Sequence, residues 1–118
     1  VPITGIDHVQ VAAPPGCEAE ARRFYGELLG LEEIEKPEEL RARGGVWFRC
    51  GDAGQQFHVG VTANFRPASK AHPAFAVTGL DELVRTLEQA GALTRDGDRL
   101  YTADPWGNRL ELVPTSAR

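Results

Sequence analysis

Cysteine is scarce in this sequence, with only Cys17 and Cys50, and the interval between them fits no metal-ligand spacing. Two free thiols without a disulfide are expected. Long apolar runs are missing as well: no stretch approaches the roughly 20 residues of a membrane-spanning helix. The opening VPITGIDHVQ has neither the basic region nor the apolar stretch of a signal peptide, so a cytoplasmic location with no membrane partner is the expectation. A basic face is absent too. Lys and Arg total 13 against 17 Asp and Glu, a net charge of -4, and phosphate neutralisation needs several convergent cations, which excludes nucleic acid. A small molecule or another protein remains as partner. What is present is an ordinary globular composition, 42% hydrophobic and 25% charged over 118 residues, enough for one domain spanning 1–118 with a core of its own.

Hydrophobic periodicity orders the elements. TGIDHVQVAA alternates and is β-branched up to the turn signal Pro14-Pro15-Gly16, which predicts a first strand. CEAEARRFYGELLG predicts a helix with Ala21, Phe24, Leu28 and Leu31 on one face and Gly30 at its end. LEEIEK, GVWFRCG and QQFHVGV then predict three strands, making the first half β-α-β-β-β. The second half repeats that order. HPAFAVT predicts a strand, LDELVRTLEQAG a helix with Leu80, Leu83, Leu87 and Ala90 on one face, and ALTRDG, RLYTADP and RLELV three more strands. The organisation is therefore α+β: module one at about 3–62, a linker at about 63–71 and module two at about 72–114.

Because side chains alternate along a strand, Val9, Val11, Phe57, Val59, Val61, Phe75, Val77, Leu110 and Leu112 are expected beneath the two helices. The opposite face collects His8 and Gln10, Gln56 and His58, His72 and Ala74, Arg109 and Glu111. Singly, a histidine at a strand start is usually a solvated or hydrogen-bonded residue, and a glutamate between leucines marks the wet face of a strand. Together, three imidazoles and a carboxylate at equivalent places in two repeated modules form an N/O donor set suited to a divalent metal.

GIDHVQVAA, RRFYGELLGLEE, HPAFAVTGLDEL and YTADPWGNRLELV resemble the vicinal oxygen chelate superfamily, which includes glyoxalase I, fosfomycin-resistance thiol transferases, extradiol dioxygenases and bleomycin-resistance proteins. FYGELLGL and DPWGNRLEL are the most specific pieces. The resemblance implies two βαβββ modules forming an eight-stranded open cup around one divalent ion per site (Ni, Zn, Mn, Co or Fe). It implies His8, His72 and Glu111 as ligands. His58 stands where bacterial glyoxalase I places a glutamate, and so reads as a fourth ligand, a general base or a neighbour; Glu111 and His58 are the candidates for catalysis.

Gln10 shares the face of His8, and Tyr101 lies where the resembling families often place an aromatic in the cup, so both are candidate substrate contacts. Trp47 and Arg49 alternate with Val46, Phe48 and Cys50, and one of the two sets lines the site. Asp104, Pro105 and Gly107 read as turn residues, and Phe24 and Tyr25 as core. The resemblance implies Lewis-acid chemistry on a small oxygenated metabolite, by a glyoxalase-like lyase or isomerase. Thiol transfer, dioxygenation and metal-free drug binding are the alternatives on the same scaffold. Related proteins often share sites between chains, and a homodimer is the expected assembly.

Overall fold

The computed structural model describes residues 2–115. Eight strands form two four-stranded mixed sheets, one in each of two compact units, Val1–Arg66 and Pro67–Arg118. In the first unit β1 (His8–Ala13), β2 (Glu32–Ile34), β3 (Val46–Cys50) and β4 (Gln55–Val61) take the order β1-β4-β3-β2. In the second, β5 (Ala74–Val77), β6 (Leu93–Asp96), β7 (Arg99–Ala103) and β8 (Arg109–Pro114) take the equivalent order β5-β8-β7-β6. In each unit the first and last strands pair in parallel and the others antiparallel. A parallel neighbour requires a crossover, and a helix supplies it in both units.

The helix of the first unit departs from expectation. It is α-helical only over α1 (Glu18–Ala21) and widens to a π-helical run over Arg22–Leu28, where the Leu29 N–H reaches the Phe24 carbonyl five residues back at 3.0 Å. Widening turns the apolar stripe, so Ala21, Phe24 and Tyr25 are buried while Leu28 and Leu31 are half-buried. The Tyr25 ring meets Phe48 of β3 and Phe57 of β4, with centroids at 5.9 and 4.9 Å. With the ring over the inner strands, Val9 on edge strand β1 is 38% exposed rather than core, and Val11 is half-buried. Glu18 ties the helix start to the corner before β3 by accepting the Gly45 N–H at 2.7 Å, and that bond pulls its carboxyl below the usual carboxylate range. Gly45 has no room for a side chain, since a Cβ would stand 2.2 Å from the Val59 carbonyl oxygen. A 3₁₀ segment, Glu38–Arg43, fills the charged stretch between β2 and β3.

In the second unit α2 (Leu80–Gln89) buries Leu87 and half-buries Leu80 and Leu83; Ala90 caps the helix and is exposed, because the helical stripe ends one residue before it. Leu110 and Leu112 are buried as expected, while Phe75 and Val77 are half-buried. Strand β5 begins at Ala74, two residues later than expected, although the Pro73 carbonyl still accepts the Glu111 N–H at 3.0 Å. The bend before β8 is closed by Asp104. Its carboxylate accepts the backbone N–H groups of Trp106 (3.1 Å) and Asn108 (2.8 Å) and the Asn108 side-chain amide (2.8 Å), which confirms a turn role. Cys17 and Cys50 are free thiols, both pushed up by burial. Among the described residues no helix is long and apolar enough to cross a membrane.

Candidate functional site

Strand register builds the first half of the site. His58 of β4 stands opposite Trp47 of β3 and Gln10 of β1, and the next row holds Gln56 opposite Arg49 and His8. Alternation places these six on the face away from Phe48, Phe57 and Val59, so Trp47 and Arg49, not Val46 and Phe48, belong with the histidines. The His58 ring lies between two others: Trp47 at a centroid distance of 3.8 Å and 4° between planes, and His8 at 4.3 Å and 16°. His58 is only 3% exposed. Its Nε2 lies 2.8 Å from the Gln56 side-chain oxygen, an acceptor, so that nitrogen carries the proton. Burial, then the neighbouring His8, lowers the His58 pKa to about 4, and it is neutral at physiological pH. Arg49 reaches out to Glu32 at 3.1 Å. His8 is exposed, with Nδ1 2.9 Å from an Asp7 carboxylate oxygen.

The second half is built the same way in the other unit. Ala74, Glu111, Tyr101 and Thr94 lie in one row across β5, β8, β7 and β6. His72, just before β5, places Nε2 3.0 Å from a Glu111 carboxylate oxygen and Nδ1 2.9 Å from the Lys70 carbonyl. Both side chains are mostly buried, 24% and 16% exposed. The buried Tyr101 ring meets His72 edge-on at 5.6 Å and 75°, and the Arg109 guanidinium lies 5.0 Å from the Tyr101 ring centre, a cation–π distance. Arg99, fully exposed, is shifted upward by its hydrogen bond to Tyr101 and then by the charge of Glu111.

The four expected donors therefore appear as two pairs, His8 with His58 and His72 with Glu111. Among the described residues no three His, Cys, Asp or Glu side chains gather closely enough to hold a metal ion. Sequence reasoning passed over Arg99, although it precedes Tyr101 by two residues and alternation places it on the same face. It also passed over Asp7 and the Lys70 carbonyl, for which no pattern exists.

The three histidines divide into two kinds. His8 and His72 each hold Nδ1 against an oxygen acceptor, to which a proton on that nitrogen is donated, so that Nε2 is the nitrogen left for another partner. At His72 the Nε2 faces a carboxylate oxygen at 3.0 Å, a separation that a proton or a metal cation between the two atoms accounts for. This is the arrangement in which an oxygen behind the ring orients a metal-binding imidazole. His58 is the reverse, with Nε2 committed and both ring faces covered.

Comparison with known proteins is consistent across the chain. Residues 12–113 match the glyoxalase-like domain family. A crystal structure of a glyoxalase family protein from Bacillus anthracis is 55% identical, with a TM-score of 0.87 over 93% of each chain. The trypanothione-dependent glyoxalase I of Leishmania major shares the fold at 16% identity, with a TM-score of 0.76 over 98% of this chain and 89% of that one. A lactoylglutathione lyase from Agrobacterium tumefaciens shares it at 22% identity, with a TM-score of 0.63 over 95% and 94%. No functionally curated protein matches the chain.

Proposed function

Because the chain belongs to the glyoxalase-like domain family, within the vicinal oxygen chelate superfamily, we propose that it is a divalent-metal-dependent lyase or isomerase acting on a small oxygenated metabolite. His8, His72 and Glu111 are the ligands in this reading. The observation that carries it is the orientation of His72 and Glu111, an imidazole Nε2 and a carboxylate oxygen that converge to 3.0 Å in a mostly buried place, with the Lys70 carbonyl behind the ring. A divalent ion (Ni, Zn, Mn, Co or Fe) bound by such N/O donors supplies Lewis-acid polarisation of a substrate oxygen.

The chain's own residues supply the rest. Glu111 has a second carboxylate oxygen for moving a proton between neighbouring substrate carbons. Tyr101, held by Arg99 and faced by Arg109, presents its hydroxyl and a positive edge that orient an oxygenated ligand. His58, neutral and enclosed, is a neighbour that fixes the position of the His8 ring rather than a base. A full ligand set needs His8 from the first unit and His72 with Glu111 from the second, and a symmetric homodimer with two equivalent sites supplies it from two copies.

The test is titration of protein purified without an affinity tag with Ni, Mn, Fe, Co and Zn. One tight divalent ion per site is expected, lost in His72→Ala, His8→Ala and Glu111→Ala. Mixing the His8→Ala and Glu111→Ala chains in equal amounts should restore one of the two sites in each heterodimer, about a quarter of all sites when subunits exchange freely. Negligible affinity in the unaltered protein would replace this reading with a metal-free binding module. No recovery despite subunit exchange would refute the shared site while leaving the metal reading standing.

A further inference from the structure

The histidine-bearing face of the first unit carries a cavity of about 220 Å³ bounded by Gln10, Lys36, Leu40, Arg43, Trp47 and Gly60. Its volume falls below the roughly 300–1,000 Å³ usual for drug-sized ligands, so its occupant is small. Its charges have one sign, Lys36 and Arg43, and no aspartate or glutamate lines it. The Lys36 ammonium is held in place by donating to the Gly44 carbonyl, which neutralises none of its charge. Arg43 has no carboxylate partner among the described residues, whereas Arg41, two residues before it, pairs with Glu35.

Gln10 adds directional hydrogen bonding. Its side-chain amide lies across β4, where a Cβ on residue 60 would stand 2.7 Å from the amide nitrogen, so only glycine lets it adopt that position. The amide has no hydrogen-bond partner among the described residues. Two cations, an unspent amide and an indole wall thus converge on one small space, and a carboxylate answers all four: it accepts from a guanidinium fork and an amide, and its planar body can lie along an aromatic.

We propose that this cavity binds the carboxylate end of a small planar acid, so that the enzyme's substrate is an oxygenated organic acid rather than a neutral carbonyl compound. Naming the occupant a substrate rests on the proposed function; the capture of a carboxylate here does not, because every group involved belongs to the first unit and none is a metal ligand.

Benzoate and its neutral counterpart benzamide serve as probes, with the indole N–H resonances of Trp47 and Trp106 as readout and a chelator present throughout. Benzoate should shift Trp47 saturably and leave Trp106 in place, and benzamide should do neither. Arg43→Met should weaken benzoate about tenfold, the effect of losing one charge-assisted hydrogen bond, and Lys36→Met should act in the same direction. Rising salt should weaken benzoate. Equal binding of benzoate and benzamide, or unchanged affinity in Arg43→Met, whose exposed side chain leaves folding intact, would overturn the proposal. Carboxylate binding without any metal affinity would sink the proposed function alone, and metal affinity without carboxylate binding would sink this inference alone.

Discussion

Acid should loosen the first unit through a single side chain. His58 is closed in between Trp47 and His8, and its pKa of about 4 lies below the 6.5 of an ordinary imidazole. Between these values the unfolded chain binds a proton that the folded chain refuses, so stability rises with pH across that window. The contribution is fully present above pH 6.5 and is lost as the pH falls toward 4. At about 1.36 kcal/mol per pH unit the shift corresponds to roughly 3 kcal/mol, a large share of the 5–15 kcal/mol that holds a typical domain together. His58→Phe keeps a flat ring against Trp47 but does not titrate, and the hydrogen bond it loses to Gln56 is lost equally at every pH. Urea unfolding followed by circular dichroism, for both proteins from pH 4 to 8, isolates the effect of His58 and its coupling to the stacked His8, because titrations elsewhere cancel in the difference. The unaltered protein should lose about 3 kcal/mol relative to His58→Phe between pH 7 and pH 4. A difference that stays flat over that range would refute the assignment of a desolvated, neutral imidazole, as would a directly titrated His58 near its ordinary value.

Two further outcomes concern stability alone. Thr102 of β7 is 1% exposed and its hydroxyl has no hydrogen-bond partner among the described residues, so Thr102→Val should stabilise the protein by about 1 kcal/mol in chemical denaturation; a loss of stability would mean that the hydroxyl is satisfied in solution. Gly45→Ala should cost about 2–4 kcal/mol, since the residue has a positive φ of 88° and its Cβ would collide with the Val59 carbonyl; an unchanged denaturation midpoint would show that the corner can shift freely.

The architecture was legible because its signals are local. Alternation in QQFHVGV and RLELV put Phe57, Val59, Leu110 and Leu112 inside and His58 and Glu111 on the other face, as found. Asp104, Pro105 and Gly107 announced the bend before the last strand, although the Asn108 side chain that completes it carried no such signal. Where periodicity failed, a tertiary contact overrode it. Leu28 is only half-buried because the turn widens where Tyr25, expected in the core and found there, meets the Phe48 and Phe57 rings, and Val9 is exposed because that packing does not extend to the edge strand.

The sequence by itself determined which residues share a face, since a side chain's direction on a strand depends only on its neighbours. It thereby put His8, His58 and Glu111 on one side of their sheets, while His72, just before β5, takes its place from tertiary contacts. Only the tertiary structure decided what each can do. The His72 ring is oriented by the Lys70 carbonyl at Nδ1 and by Glu111, 39 residues away, at Nε2. His58 is kept neutral by burial, and then by the neighbouring His8, once Trp47 and His8 stack on either side of its ring. Tautomer, charge and reach are set by desolvation and by specific partners, and both come into being only when distant strands pair.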